Sequence, residues 1–395
     1  MPSQRTRCYS YLRASTTTVR STSGISQSSS ERLALPRKRI QALQALRALA
    51  FLMVFVSHCS FIKGVSGGAL LDYAGAAGVS IFLVLTGFLW YVNGHDRSLP
   101  IGGKGSFERV LSKARRFYPL HLATLLAALP FLALFVIKGG SVLTAFVELA
   151  FNVTLLQSWV PVKEIYFSLN GVSWYLSTYL FLALVAPYVV TAVGRSRWLE
   201  TPLSAVMACV VLFAAECMWS LLAFAVPASH WLVYVFPPAR VFELIAGAVV
   251  GRLYVEHHNE PVFCKISLGG GVLAAMVEIV LIWYTTFLPE GTHTFFLSAA
   301  WLIPSCLLVC SFAVLEESPI GALFRLTPVI TFGGLGLELF MVHQLVIRYW
   351  TALDLSVLLP ALVSFVCCLA LSVVAALAAK RVLPSIASSK KAPAA

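Results

Sequence analysis

Residues 47–58 read RALAFLMVFVSH and lie in the first long apolar run of the chain, with an arginine at one end and a histidine at the other. His58 lies eleven residues beyond Arg47, which is roughly 16 Å along a helix that rises 1.5 Å per residue. Lipid solvates ionisable side chains poorly, so those inside a bilayer usually face protein or a water-filled cavity and have a function. The stretch therefore predicts a membrane-spanning helix that carries a functional histidine.

The composition is that of a polytopic membrane protein. Of the 395 residues, 59% are hydrophobic and 12% are charged, whereas a soluble domain carries about 25% charged residues. The apolar runs are continuous and about twenty residues long, which predicts helices rather than the alternating strands of a membrane barrel. The net charge of +12 does not indicate a nucleic-acid partner, because no basic stripe interleaves with aromatic residues.

Eleven apolar runs are candidates for membrane-spanning helices. They are 44–63, 75–93, 118–138, 141–158, 173–193, 203–226, 239–254, 266–288, 294–314, 329–350 and 356–379. The run 141–158 is the weakest, because it is short, contains Glu148 and ends in polar sequence. We therefore predict an all-α membrane protein with about ten transmembrane helices, in which 141–158 is a re-entrant or interfacial helix.

The loop charges support this topology and place both termini in the cytoplasm. The basic loop 94–117 falls on the cytoplasmic side, and four of the connections predicted to lie outside contain no lysine or arginine, as expected from the positive-inside rule. These outer connections are 64–74, 227–238, 289–293 and 351–355. Ten spans also put the two basic ends of the chain on the same side.

The predicted membrane domain covers residues 40–381, between a basic tail at 1–39 and a short basic tail at 382–395. The first tail is rich in Ser and Thr and has one acidic residue, Glu31. We predict it to be disordered and cytoplasmic, or to result from a start codon placed too early. An organellar transit peptide is the alternative.

The predicted topology brings five polar or aromatic residues to one depth near the outer face. They are His58, Trp174, Arg240, Glu243 and His343. Arg240 and Glu243 are spaced i, i+3, which places them on one helical face where they can pair. Each residue alone has a plainer explanation, since His and Trp also anchor helices at the interface. Their coincidence at one depth favours a functional site centred on His58.

Two glycine-rich segments, 75–88 and 333–336, contain small residues that let helices approach closely. Helix packing is the main interpretation for both. The sequence shows no phosphate-binding loop and no set of His and Asp residues at metal-ligand spacing, so we expect no metal ion.

The order of these segments resembles that of the membrane acyltransferase-3 family. Arg47 and His58 match its first-helix signature, which is a basic residue, ten others and a histidine. The further matches, in the family's order, are GVSIF at 78–82, TGF at 86–88, RVLSKARRFYP at 109–119, WYLS at 174–177, RVFELIAG at 240–247 and FGGLGLELFMVH at 332–343. Tyr179 departs from the family pattern, which often has Glu there, and Gly336, Leu337 and Phe340 replace Ser, Tyr and Tyr.

The resemblance implies transfer of an acyl group, typically acetyl from acetyl-CoA, to a hydroxyl of a saccharide or glycolipid in the bacterial inner membrane. We predict His58 as the general base, because an imidazole with a free pKa of about 6.5 suits proton abstraction at neutral pH. An acyl-histidine intermediate is the alternative. Arg240 or Trp174 would donate to the oxyanion with Glu243 holding Arg240, and His343 completes the catalytic set.

Five cations are predicted to bind the phosphates of CoA on the cytoplasmic side. They are Arg47, Arg109, Lys113, Arg115 and Arg116. The plain alternative is that they only set the orientation of the chain in the bilayer. The competing function is a glycolipid transporter or flippase, although no inverted repeat is found. A non-catalytic scaffold poorly explains the buried polar layer.

Overall fold

The computed structural model describes residues 40–62, 68–95, 103–288, 294–316 and 318–383. The predicted tail 1–39 and nearly all of 382–395 lie outside these residues. The α-helices of the described chain are, in order, α1 Ala42–His58, α2 Gly68–Gly94, α3 Gly103–Ile137, α4 Val142–Thr154, α5 Lys163–Tyr166, α6 Trp174–Arg195, α7 Pro202–Phe224, α8 Val241–His257, α9 Pro261–Tyr284, α10 Ala299–Leu315, α11 Gly321–Phe324, α12 Thr327–Gly333, α13 Gly336–Ala352, α14 Leu355–Leu358 and α15 Ala361–Val382. Within this part of the chain there is no β-strand, which confirms the all-α prediction.

The chain is a multi-pass membrane protein. In the described ranges, eight helices are long and apolar enough to cross a bilayer, namely α1, α2, α3, α6, α7, α9, α10 and α15. A ninth span results if α12 and α13, which are bent by 68° at a short break, are counted together. The count is therefore close to the predicted ten.

Helix α8 accounts for the difference. It has 17 residues and begins after a 3-10 turn, Pro237–Arg240. Glu243 in its first turn pairs with Arg240, just before the helix, with both side chains fully buried, and Arg252 pairs with the more exposed Glu256 near its end. Because α8 packs against α2, α6, α7 and α10, its surroundings are largely protein, and it needs less apolar length than a helix that faces lipid.

Glycines let α8 and α1 approach α2 closely. A Cβ atom on Gly87 would collide with the carbonyl oxygen of Leu244, and one on Gly247 would collide with that of Val84. A Cβ on Gly78 would lie 2.5 Å from the carbonyl oxygen of Ala50 in α1. The helix-packing interpretation of the first glycine-rich segment is thus confirmed, since small residues bring two helix backbones together.

The segment 141–158 does not form a helix of spanning length. Helix α4 has 13 residues, about 20 Å at 1.5 Å per residue, against a hydrocarbon core of about 30 Å. Ser141 caps its first turn by accepting a hydrogen bond from Thr144 N–H, and Leu155 ends it with φ 56°. The short helical turns that follow lead to α6. We call residues 142–173 the cover segment, because they form part of the wall of the cavity described below.

The predicted basic loop 94–117 is helical over much of its length. Helix α3 begins at Gly103 and continues to Ile137, so residues 109–116 form helical turns rather than a loop. The sequence ERVLSKARR consists mostly of residues with good helix propensity, which explains the continuation. Four of the five predicted cations are thereby fixed on one helix.

Candidate active site

The two predicted histidines lie next to each other. His58 ends α1 and His343 lies in the middle of α13, and His58 Nδ1 is 3.3 Å from His343 Nε2. Their ring centroids are 4.9 Å apart with the planes at 77°. His343 is fully buried against the rings of Phe51, Phe55 and Phe340. The polar pair is therefore enclosed by aromatic side chains on the His343 side.

The hydrogen-bond network assigns a tautomer to each ring. His343 Nδ1 lies 3.1 Å from the carbonyl oxygen of Leu339, and a carbonyl only accepts, so this nitrogen carries the hydrogen. Neutral His343 therefore has its lone pair on Nε2. His58 Nδ1 lies 2.8 Å from the carbonyl oxygen of Val54 and donates to it and to His343. The lone pair of neutral His58 is then on Nε2.

His58 faces a cavity of about 920 Å³. Its wall comes from α1, α2, α3, the cover segment, the start of α6, the segment before α8, and α13. Polar side chains of this wall include His58, Glu148, Lys163, His230, Gln344 and Arg348, and aromatic ones include Phe131, Phe167, Trp174 and Tyr234. A cavity of this size that combines aromatic rings with convergent polar groups suits an organic ligand.

Trp174 lies at the start of α6 and lines the same cavity as His58. Its side chain is largely buried, and its ring packs on Tyr234 with centroids 4.9 Å apart. Among the described residues its indole N–H has no hydrogen-bond acceptor, and this nitrogen is not completely shielded. Trp174 can therefore donate a hydrogen bond to a molecule in the cavity.

The cover segment is attached to α13 beside Trp174. Asn170 Nδ2 donates to the carbonyl oxygen of Met341 at 2.9 Å, and Val172 N–H donates to Gln344 Oε1 at 3.2 Å. Arg348 donates to the carbonyl oxygen of Leu169, a residue held in the left-handed region at φ 53°. These contacts place Trp174 relative to the helix that carries His343.

Arg240 and Glu243 pair as their spacing predicts but lie behind the cavity wall. The two side chains are fully buried, with 2.5 Å between Arg240 Nη2 and Glu243 Oε1. Arg240 also donates to the carbonyl oxygen of Val233 at 3.3 Å and lies over the Tyr234 ring, 5.7 Å from its centroid. Neither residue lines the cavity, so the structure does not bring the guanidinium into the cavity that His58 faces.

A second buried carboxyl group belongs to this charged cluster. Glu216 of α7 accepts a hydrogen bond from Ser298 and is within electrostatic range of Arg240 and Glu243. Glu216 was not predicted as a site residue, although a single carboxylate inside the apolar run 203–226 is the kind of signal that marks a buried polar contact in a membrane helix.

His230 was also missed, and it lies on the cavity wall. Its ring stacks on Tyr166 at 12°, with 3.4 Å between Tyr166 Oη and His230 Nδ1. Burial, reinforced by the nearby charge of Lys163, lowers the pKa of His230 from 6.5 to about 4. On the same wall, partial burial and then the charge of Glu164 raise the pKa of Glu148. A neutral imidazole at pH 7 follows for His230.

Most of the predicted cations form a group on α3. Arg109, Lys113 and Arg116 are spaced i, i+4 and i+7, which places them on one face of the helix, and Lys113 lies over the Trp90 ring at 5.8 Å. Arg116 and Arg47 are within electrostatic range of the Tyr179 hydroxyl. We call Arg47, Arg109, Lys113 and Arg116 the basic cluster. Arg115 and Arg116 are both exposed, but Arg115 is six residues from Arg109 and therefore belongs to a different face of the helix.

Metal ligation finds no support in the geometry. Across the described ranges, no three His, Cys, Asp or Glu side chains are grouped so that they could hold one ion.

Comparison with known proteins gives two matches. A family model described as an acyltransferase domain matches residues 40–381, in agreement with the predicted resemblance. Acyltransferase MdmB from Streptomyces mycarofaciens is 26% identical over 328 residues, which cover 79% of this chain and 80% of the relative. No solved structure matches the chain significantly.

Proposed function

Since the chain belongs to the acyltransferase family whose model it matches over residues 40–381, we propose that it moves an acyl group, acetyl by expectation, from acyl-CoA to a hydroxyl of a saccharide or glycolipid. The observation that carries this proposal is the hydrogen-bonded pair of His58 and His343 at the wall of a large cavity. The tautomers leave the lone pair of His58 Nε2 available to take a proton.

The proposed reaction uses His58 first as a base and then as an acid. His58 Nε2 accepts the proton of the acceptor hydroxyl while the hydroxyl oxygen attacks the thioester carbonyl carbon. The carbonyl electron pair moves to oxygen, which gives a tetrahedral oxyanion. When this intermediate collapses, the C–S bond breaks and the CoA sulfur takes the proton from His58. The products are an ester and free CoA, and the base is neutral again.

His343 is proposed to hold His58 in position and to stabilise its charged form. The Nδ1–H of His58 is shared between the carbonyl oxygen of Val54 at 2.8 Å and His343 Nε2 at 3.3 Å. These acceptors become stronger partners when His58 is protonated, because a hydrogen bond to a charged donor is roughly twice as strong as a neutral one. An acyl-histidine on His58 Nε2 is the alternative route and uses the same lone pair.

Trp174 is proposed to donate to the oxyanion, as its free indole N–H opens to the cavity. Arg240 takes an indirect role instead. Its guanidinium lies over Tyr234, and Tyr234 packs on Trp174. The Arg240–Glu243 pair therefore supports the wall against which Trp174 is held, and Arg240 is assigned as a positioning residue.

The basic cluster is proposed to hold the phosphates of acyl-CoA. Arginine pairs with phosphate through parallel hydrogen bonds, and lysine adds a compact charge. Arg47 connects this cluster to the base, since Arg47 and His58 lie on the same helix roughly 16 Å apart. We further propose that the Arg47 end of α1 and both termini face the cytoplasm of a bacterial inner membrane, and that the His58 end faces the acceptor.

The test follows label from acyl donor to acceptor. Broken membranes from expressing cells are incubated with radiolabelled acetyl-CoA, and the label in extracted glycans and glycolipids is counted. His58→Gln is expected to reduce transfer by roughly 100-fold or more, the usual contribution of a general base. The matched control is His257→Gln, because His257 pairs with Glu260 at the end of α8 and does not line the cavity. Full activity of His58→Gln would refute the base assignment, and a wild type that transfers no label would refute acetyl transfer.

A further inference from the structure

The amide of Gln344 lies beside the histidine pair with one end held and the other end free. We infer that Gln344 donates a hydrogen bond through Nε2 to the tetrahedral oxyanion, together with the indole N–H of Trp174. This assignment adds a second donor to the reaction and rests on the proposed acyl transfer. Gln344 was not singled out from the sequence.

The orientation of the amide is determined by the cover segment. Val172 N–H donates to Gln344 at 3.2 Å, and only the amide oxygen can accept this hydrogen bond. The oxygen therefore faces Val172 N–H, and the Nε2 end of the amide lies beside Gly171, where an added Cβ atom would be 3.3 Å from it. Gly171 leaves room for this contact, because a Cβ atom there would lie 3.0 Å from Gln344 Oε1. A group fixed in this way costs little reorganisation when charge develops.

The amide nitrogen is available to a molecule in the cavity. Gln344 lines the cavity, and in the described part of the chain its Nε2 has no hydrogen-bond acceptor and is not completely shielded. The neighbouring amide of Asn170 is different, since its nitrogen donates to the carbonyl oxygen of Met341 and its side chain is fully buried. Of these two adjacent amides, only Gln344 has N–H groups to offer.

The position of Gln344 fits a donor that acts together with His58. It follows His343 directly on α13, and His343 is 3.3 Å from His58. Gln344, His58 and Trp174 all line one cavity, so a thioester carbonyl placed there is within the region that base and donors share. An oxyanion hole needs donors aimed at the site where negative charge develops, while the base faces the attacking oxygen.

The side chains of the two arginines near the cavity contact other protein groups. Arg348 donates to the carbonyl oxygen of Leu169 and lies over the Phe131 ring at 4.2 Å from its centroid. Arg240 is fully buried and paired with Glu243. A neutral amide and an indole thus take the role that was predicted from the sequence for Arg240 or Trp174.

Two substitutions separate donation from anchoring. Gln344→Glu keeps an oxygen that accepts from Val172 N–H but replaces the N–H groups with a second oxygen. Gln344→Met has a similar length and lacks both functions. If Gln344 acts on the oxyanion, Gln344→Glu reduces kcat by about 100- to 1,000-fold, the usual effect of removing one oxyanion donor, with the KM for acetyl-CoA unchanged. Gln344→Met is expected to be at least as impaired.

The experiment measures transfer from radiolabelled acetyl-CoA in broken membranes. It compares four proteins side by side: wild type, Gln344→Glu, Gln344→Met and His58→Gln. Each activity is divided by the amount of folded protein, measured by size-exclusion chromatography in detergent. A Gln344→Glu variant within threefold of the wild-type kcat would overturn the inference and leave anchoring as the role of Gln344. If the wild type transfers label and His58→Gln does not, the proposed function stands, and an active Gln344→Glu variant then counts only against the role of Gln344. If His58→Gln is fully active or the wild type transfers nothing, the proposed function fails first and this inference fails with it.

Discussion

Two buried polar pairs, His58–His343 and Arg240–Glu243, lie in the same helical bundle and differ in access. His343 and both members of the charged pair are fully enclosed, whereas His58 opens to a cavity of about 920 Å³. Tyr234 lies between the charged pair and that cavity, with one face toward Arg240 and contact with Trp174. Depth in the bilayer is therefore a weak criterion for catalysis, and contact with a cavity is the stronger one.

The largest expected effect tests the enclosed pair as a structural element. Arg240→Met leaves Glu243 buried without its cation, and breaking a buried ion pair costs about 3–5 kcal/mol of unfolding free energy. Thermal unfolding of the purified variant in detergent measures the loss. The double substitution Arg240→Met with Glu243→Leu is expected to recover part of it, because Glu243 no longer remains as a buried charge without its partner, whereas Glu216 of the same cluster is still buried. An Arg240→Met protein as stable as wild type would show that the enclosed Arg240–Glu243 pair is not a structural element.

His230 is an intermediate case, since it is mostly shielded yet lines the cavity. Its pKa is about 4 in the folded protein and about 6.5 in an unfolded chain. Between pH 4 and pH 6.5, His230 is protonated in the unfolded chain but not in the folded protein. Its contribution to the free energy of unfolding is therefore fully present above pH 6.5 and is lost as the pH decreases toward 4. The lowered pKa corresponds to at most about 3 kcal/mol.

The measurement for His230 is the denaturation midpoint from pH 7 to pH 4, for the wild type and for His230→Gln. The variant is expected to lose less stability over this range, because the titrating group is gone. Parallel curves for the two proteins would show that His230 does not carry the pH dependence.

His343→Asn tests the open pair through its positioning member. A hydrogen bond to a charged group contributes about 1.5–3 kcal/mol, so loss of the His343 acceptor is expected to reduce kcat by roughly 10- to 150-fold. Because protonated His58 loses a partner, the acidic limb of the pH–rate profile should move to lower pH. An unchanged profile with a lowered rate would indicate that His343 only fills space. The fold-reduction in kcat should exceed any fold-change in the KM for acetyl-CoA.

The smallest expected effect concerns the basic cluster. Arg116→Gln removes one charge from the group near Tyr179 and is expected to raise the KM for acetyl-CoA by about 10-fold, more at low salt than at high salt. Arg115→Gln serves as the comparison, since Arg115 belongs to a different face of α3, and we expect a change of about twofold or less. Equal effects of the two substitutions would instead support the alternative that these cations only set the orientation of the chain in the bilayer.

Much of the fold could be predicted from local patterns. Continuous apolar runs identified most of the spans, and the spacing of Arg240 and Glu243 predicted their pairing. The shortness and polarity of 141–158 separated it from the spanning helices, and α4 is indeed too short to cross. Each of these features depends on residues close in sequence, for which helical geometry determines which side chains meet.

The departures arise where neighbours in space decide the outcome. The length and charge of α8 are explained by the helices that surround it, and the loop expected at 94–117 is largely part of α3. The placement of Arg240 behind Tyr234 depends on how the segment before α8 packs against α6. Hydropathy and loop charge report depth, but they contain no information about which face of a helix meets a cavity.

By itself, the sequence determined that this chain is a helical multi-pass membrane protein and which family it resembles, and it predicted His58 as the catalytic base. Only the tertiary structure decided that His343 is the partner of His58, that Arg240 is enclosed and that Gln344 has a free N–H. The physical reason is the range of the interactions. Helix formation and burial in lipid depend on composition over about twenty residues, whereas these hydrogen-bond partners lie on different helices, up to 285 positions apart in the chain.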